Sequence, residues 1–343
     1  MCVAARSLGA WILAAMLCTV VGFALLLGVG FPWLIGDEAF RESVSAALGR
    51  ELRYSKLELA YFPPAIILDS PTLGGVSTFA RADRAVLSVS LVPMLARIVL
   101  VDSARVEGAV LYLMRSGEGV GLMPEPEITG SSIALREPAA LRFAVGSLTI
   151  PDAVLVFEDR TVSPTLRWEL RDSELQLQMD ALESRLHFMI AGEIATGGRV
   201  SAEGDVTSSG EVDATVRLEA VSIVHATAYF ASGAKIDGAL TGTIGAVGPH
   251  VEFDLDLSEG HLTLGEITLR GPLKITGQMD QQKRPPQGQV ELDATAAELR
   301  FGDFFTKPPG TRGLVRGQVT SDADGALAVD AWKFEMDDFE GRV

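Results

Sequence analysis

The stretch of residues 8–35 constrains this chain more than any other feature of its sequence. It contains no charged side chain, and acidic residues follow it closely. A helix that crosses a bilayer needs roughly 20 apolar residues, and this stretch is longer. Trp11 and Trp33 lie near its two ends, roughly 33 Å apart along a helix, which matches the spacing of the aromatic belts of a membrane. We therefore predict one membrane-spanning helix, with residues 1–36 as a transmembrane anchor.

A cleaved signal peptide is the alternative interpretation of this stretch. Signal peptides have apolar cores of about 7 to 15 residues, followed by small residues at the cleavage site. Here the apolar core is longer, and residues 34–36, Leu-Ile-Gly, form a poor site. Arg6 and the amino terminus precede the span, whereas acids follow it. The positive-inside rule then predicts that the chain from residue 37 onward lies outside the cytoplasm.

The composition disfavours nucleic-acid binding and thiol chemistry for the rest of the chain. The net charge is -16 and the isoelectric point about 4.7. A nucleic-acid partner is disfavoured, because binding to phosphates needs a basic face. Both cysteines, Cys2 and Cys18, lie in or before the predicted span. The sequence beyond the anchor therefore has no disulfide and no thiol chemistry.

The hydrophobic pattern after the anchor predicts one short helix and then strands. Asp37 can cap a helix over residues 38–48, in which Phe40 and Val44 share a face. After this helix the period changes from four to two, most clearly at 212–220, where apolar and polar residues alternate. Only short helical turns, at 92–97 and 224–231, interrupt the strands.

The fold class that follows is mainly β. We expect a single amino-terminal transmembrane helix and then a long, curved antiparallel sheet with very few short helices. No amphipathic helix is available to cover the apolar faces of the strands. The sheet must therefore either fold onto itself like a sandwich or keep an open apolar groove.

Three segments of the first 120 residues carry a resemblance to a known family. They are GRELRYSKLELAYFPP at 49–64, FARADRAVLSVSLVPMLAR at 79–97 and VLVDSARVEGAVLYLMRSGEG at 99–119. In this order, after an anchor and a short helix, they resemble the amino-terminal module of the AsmA family of bacterial envelope proteins. Met94 and Gly108 depart from the family pattern, which often has leucine and proline there. The resemblance covers about a quarter of the chain closely.

The resemblance implies a protein of the inner membrane whose bulk lies in the periplasm. It also implies a role in phospholipid traffic and outer-membrane biogenesis, with phospholipid acyl chains, the inner membrane and other envelope proteins as partners. The alternation of residues by itself indicates only an apolar face.

The domain organisation follows from a stretch without periodicity. Residues 117–138 are rich in Gly, Pro, Ser and Glu, which is typical of a linker. We expect an AsmA-like module at 37–120, a linker at 121–140 and a β-rich groove domain at 141–343. The last domain is expected to be incomplete at its carboxyl end, because 339–343 ends without a turn or a cap.

No motif in the sequence indicates catalysis, a metal or a cofactor. The four histidines lack zinc-ligand spacing. The GEGVG sequence at 117–121 lacks the spacing of a dinucleotide-binding loop. The DADG sequence at 322–325 begins like a calcium loop, but Lys333 stands where the chelating glutamate would be. We therefore expect a protein that is not an enzyme and has no cofactor.

The candidate site is the apolar face of the sheet, opposite runs of charged residues. Each buried methylene is worth about 0.8 kcal/mol, so a continuous apolar face can hold acyl chains. We predict lipid contact for large apolar residues that alternate with polar ones: Leu175, Leu177, Phe188, Ile190, Val216, Leu218, Phe253 and Leu255. The alternative is a structural or adaptor envelope protein with a closed β core, which assists outer-membrane protein assembly.

Overall fold

The computed structural model describes most of the chain after the predicted anchor. The described residues are 37–48, 50–74, 78–90, 98–116, 119–122, 142–162, 165–180, 185–224, 227, 235–280, 282–283, 287–303, 305–321, 327–337 and 339–342. The predicted span and the predicted helical turn at 92–97 lie outside this part, and so does most of the turn at 224–231. Across the described ranges, no helix has the length and apolar character needed to cross a membrane.

The prediction of a mainly β fold is confirmed, since strands make up about three quarters of the described residues. The described helix is α1 (Asp37–Leu48). The strands of the first third are β1 (Leu52–Arg53), β2 (Lys56–Tyr61), β3 (Pro64–Asp69), β4 (Thr72–Gly74), β5 (Thr78–Arg81), β6 (Arg84–Ser90), β7 (Ile98–Glu107), β8 (Val110–Ser116) and β9 (Gly119–Leu122).

The longest strands follow in the middle of the chain, and shorter ones follow near the end. They are β10 (Arg142–Val145), β11 (Ser147–Asp159), β12 (Leu166–Asp180), β13 (Arg185–Ile194), β14 (Arg199–Thr207), β15 (Val212–Ser222), β16 (Lys235–Val247), β17 (His250–Leu264), β18 (Ile267–Arg270), β19 (Leu273–Asp280), β20 (Gln287–Asp293), β21 (Glu298–Phe301), β22 (Phe305–Lys307), β23 (Leu314–Ser321), β24 (Leu327–Met336) and β25 (Phe339–Arg342).

Helix α1 packs on the strands of the first module through its apolar face. Phe40 is buried at 1% exposure, and it lies in a core with Ile66 and Leu68 of β3 and Val101 of β7. The hydroxyl of Tyr54 donates a hydrogen bond to the Asp37 carboxylate over 2.6 Å. The predicted helix over 38–48 is thus confirmed, and its cap residue is tied to the sheet.

The two predicted domains share one continuous sheet. In the first module, β2, β3, β6 and β7 pair in that order, and so do β1, β4, β5 and β8. Strand β11 joins both groups, because it pairs with β7 through Leu148 and with β8 through Val154. These pairings and that of β10 with β7 are parallel. The sheet is therefore antiparallel along most of its pairings but mixed at this junction, whereas we expected an antiparallel sheet.

After β11 the sheet continues as an antiparallel meander from β11 to β17. It branches at β17. The first half of β17 pairs with β19, which leads on to β20, β23, β24 and β25. The second half pairs with β18, which leads to β21 and β22. Strand β9 takes in residues 121–122, the first two of the predicted linker.

A line of register shifts crosses the strands of this meander. Each shift lies next to a residue with positive φ: Asp152 in β11, Asp172 in β12, Ala220 in β15, Gly238 in β16 and Glu259 in β17. An extra residue bends a strand and increases its twist. We call this row of bulges the bulge line, and beside it the apolar side chains are most deeply buried.

Two of the hydrophobic cores lie at the bulge line. One contains Ile150 and Ala153 of β11, with Leu148 and Leu175 packed against it. Leu148 also packs against the core of the first module. The other core lies at the branch of β17 and consists of Leu257, Leu269, Leu273, Ala294 and Ala297. Apolar packing is therefore continuous from α1 to the start of the meander.

Candidate functional site

All eight predicted lipid-contact residues lie on one face of the meander. Residues that pair directly across two strands project to the same side of a sheet. The register pairs Leu175 with Ile190 and Leu177 with Phe188. Val216 and Phe253 both pair with Ile244, and Leu218 and Leu255 both pair with Gly242. Strand β14 links the two groups, because its Ala202 pairs with Ile190 on one side and with Val216 on the other.

We define the apolar face as the side of β12–β17 that carries these eight residues. It excludes the residues at the bulge line itself. From β12 to β17 its register positions carry no charged side chain. The face continues onto β19, β20 and β23 through Ile275, Leu292 and Val315. It is therefore a broad, uncharged surface that spans many neighbouring strands.

The exposure of the eight side chains separates the apolar face from a closed core. Every one of them is half-buried. By contrast, Leu257 is 2% exposed and Leu273 is 6% exposed. Both lie on the same side of the sheet as the eight residues, but at the bulge line. The apolar face is therefore closed at the bulge line and partly open to solvent along the rest of the strands.

The opposite side of the same strands, which we call the polar face, carries mutually paired charges. Arg217 lies 2.9 Å from Glu203, and Lys274 lies 3.0 Å from Asp254. The hydrogen bond to Asp254 raises the pKa of Lys274. Such exposed pairs contribute little to stability. They lie on the side of the sheet opposite the apolar face, where the sequence predicted runs of charged residues.

The polar face contains a hollow that the sequence did not predict. Its volume is about 1220 Å³, and strands β15, β16, β17, β19, β20, β23 and β24 form it. Three glutamines, Gln278, Gln289 and Gln318, occupy neighbouring strands within it. The sequence held one usable signal, since each glutamine alternates with apolar or glycine residues on its strand. Only the register shows that the three are adjacent.

The histidines and acidic side chains of the described residues are the candidate metal ligands. Within these ranges, no group of three or more His, Cys, Asp or Glu side chains could hold a metal ion. His187 has its Nδ1 3.2 Å from the Asp205 carboxylate, on the surface. His261 has its Nε2 3.3 Å from the Thr263 hydroxyl. His225 lies outside the described residues. At the apolar face, where the register positions of β12–β17 are uncharged, a ligand can bind by burial of apolar surface.

No protein-family model matches the chain, and no curated protein matches it. The resemblance of residues 49–119 to the AsmA family thus stays a prediction.

Proposed function

We propose that the chain is a membrane-anchored periplasmic protein of AsmA type that carries phospholipid along its apolar face in envelope biogenesis. The observation that supports this most is the half-buried state of eight register-aligned apolar side chains, from Leu175 on β12 to Leu255 on β17. Large exposed apolar patches are rare on soluble monomers and mark sites for a partner, a ligand or a membrane. In this proposal, acyl chains are the ligand.

The physical basis of such transport is shallow, continuous burial. An acyl chain gains about 0.8 kcal/mol for each methylene removed from water. Because the apolar face has no charged position along β12–β17, a chain can move across the strands without leaving apolar contact. Leu148 connects the core around α1 to that around Ile150, so apolar packing leads from the helix after the predicted anchor towards this face.

The second candidate function is a structural or adaptor protein of the envelope. The core at Leu257, Leu269 and Leu273 favours it, because there the same sheet side is closed by its own strands. In that case the rest of the apolar face packs against an envelope protein during outer-membrane protein assembly, and lipid does not enter.

Site-specific photo-crosslinking distinguishes the two candidates. A crosslinking residue at Phe188, Val216 or Leu255 should capture phospholipid when the full chain is expressed in its membrane. The same residue at Gln176 or Arg217 should not, because these positions lie on the polar face. Crosslinks to protein alone at the three apolar positions would favour the adaptor, and equal lipid capture on both faces would contradict the proposal.

A further inference from the structure

The hollow is a second concave surface, lined mainly by the polar face, although Phe253 of the apolar face also contributes to its lining. Its volume of about 1220 Å³ is large enough for a ligand of several rings. Its floor is formed by paired strands, each bonded to neighbours on both sides. A peptide therefore cannot bind there by adding a strand, because the described strands of the floor leave no free backbone edge.

Most charged side chains around the hollow are paired with one another, whereas Glu252 of the lining has no ion pair among the described residues. Arg217 pairs with Glu203, and Asp254 pairs with Lys274. Arg316 pairs with Glu291 over 2.5 Å and with Glu335 over 3.1 Å. The hydrogen bond and charge of Glu291 raise the pKa of Arg316. A charged ligand would have to break these pairs, and the exposed carboxylate of Glu252 repels an anion while it can accept hydrogen bonds from hydroxyl groups. The lining therefore favours an uncharged, hydroxyl-bearing ligand.

The polar groups left available are amides, hydroxyls and the carboxylate of Glu252, which pairs in register with Gln278. Gln278, Gln289 and Gln318 are exposed, and none has a side-chain hydrogen bond to the described part of the chain. Each amide offers two donors and an acceptor. The hydroxyls of Thr215 and Thr276 lie in the same lining. Such groups recognise hydroxyl-rich molecules through several hydrogen bonds.

The amides are evenly spaced. Gln278 pairs with Gln289, and Gln289 pairs with Gln318, so the three occupy one row across three adjacent strands. Neighbouring strands lie about 4.8 Å apart, which sets the spacing of the amides. This spacing is close to the length of one sugar ring in an extended glycan. A chain of sugars laid across the strands can therefore offer one ring to each amide.

We infer that the hollow binds a linear, uncharged glycan, with Gln278, Gln289 and Gln318 as its hydrogen-bonding row. The glycan lies across strands β19, β20 and β23, on the side of the sheet away from the apolar face. The protein thus has two binding faces of opposite chemistry, an uncharged apolar one and an amide-lined one. The glycan site does not depend on lipid transport.

The test is isothermal titration calorimetry of the full chain in detergent with two linear hexasaccharides, cellohexaose and chitohexaose. At least one should bind saturably, with an affinity that does not change with salt. The triple variant Gln278→Ala, Gln289→Ala and Gln318→Ala should weaken binding at least tenfold. The matched control is Gln176→Ala with Gln178→Ala, two exposed positions of β12 outside the hollow, and it should bind as the unmodified chain does.

Three outcomes would overturn the inference. They are no binding of either sugar, equal binding by the triple variant, or affinity that falls steeply with salt. Because a triple variant can lose structure, the single variant Gln289→Glu is measured beside it. It keeps the size of the side chain and places a carboxylate next to Glu291 on the same strand. It should weaken binding while leaving the far-ultraviolet circular dichroism unchanged, and unchanged binding would also contradict the site.

Discussion

Glu335 is held by three cations at the rim of the hollow. The residue is 8% exposed. Its carboxylate accepts hydrogen bonds from Lys333 over 2.7 Å, from Arg312 over 3.0 Å and from Arg316 over 3.1 Å. The hydrogen bond from Lys333 is the main cause that lowers the pKa of Glu335, and the charges of Arg316 and Arg312 add to it. Three donors therefore compensate the loss of water around one carboxylate.

This arrangement predicts how stability depends on pH. Because the pKa of Glu335 is lower in the folded chain than in the unfolded one, its contribution is fully present above the unfolded pKa of about 4.3. The contribution is lost as the pH falls through the folded pKa. Denaturant unfolding should show that Glu335→Gln makes the free energy of unfolding less dependent on pH below about 4.5.

The control for this prediction is Lys333→Met, which removes the main cause of the pKa shift and leaves the carboxylate in place. It should reduce the acid dependence in part. An acid dependence identical in the unmodified chain and in Glu335→Gln would contradict the assignment.

Lys307 shows what sequence patterns cannot predict at the scale of a residue. A lysine is ordinarily placed on the surface, yet Lys307 is 1% exposed. Its ammonium group donates to the carbonyl oxygens of Ala294 over 2.9 Å and of Ala297 over 2.8 Å. Burial lowers its pKa. These acceptors come from a turn more than nine residues away, so no local pattern could indicate them.

At the scale of the element, strand β16 shows how the two faces differ in packing. Gly242 projects to the apolar face with φ of +149°, and a Cβ there would lie 2.1 Å from the carbonyl oxygen of Asp254. Gly245 projects to the polar face, and a Cβ there would meet nothing within 4 Å. The strands therefore approach each other closely on the apolar side and leave room on the side of the hollow.

The pair of glycines gives a matched test. Gly242→Ala should lower the free energy of unfolding by about 2 kcal/mol, because the new methyl group meets backbone and the residue has a strained φ. Gly245→Ala should change it by no more than about 0.5 kcal/mol, or raise it slightly, because alanine restricts the unfolded chain. Urea unfolding of both variants measures this difference. Similar losses in the free energy of unfolding would contradict the close packing at Gly242 and the open space at Gly245.

Much of the apolar face could be predicted from sequence. In a strand with one polar side, the alternation of polar and apolar residues shows which side chains lie on the same side of the sheet. Val216 and Phe253 each lie between charged residues or threonine, so their side of the sheet follows from a period of two. The bulges at Asp172 and Ala220 could not be predicted. An extra residue reverses the side of the sheet on which the following residues lie, and no characteristic sequence marks its position. The joining of both predicted domains by β11 could not be predicted either, because parallel pairing links distant segments.

At the scale of the whole molecule, one sheet connects the helix after the predicted anchor to the last described strand. Its sides have different chemistry along the meander, apolar on one and polar on the other. The bulge line closes the apolar side along one margin, where Leu257 and Leu273 are buried. The remainder stays half-buried, and the proposed function rests on this open part.

The most direct test of this account compares two leucines on the same side of β17. Leu255 is half-buried on the apolar face, and Leu257 is 2% exposed at the bulge line. The measurement is the free energy of unfolding of the full chain in detergent for Leu255→Glu and Leu257→Glu. If the apolar face is open, the carboxylate at 255 stays hydrated and the loss should be about 1 kcal/mol. At 257 an unpaired buried charge should remove about 3–5 kcal/mol or abolish folding. An equally severe loss at both positions would show a closed core and contradict the open lipid face.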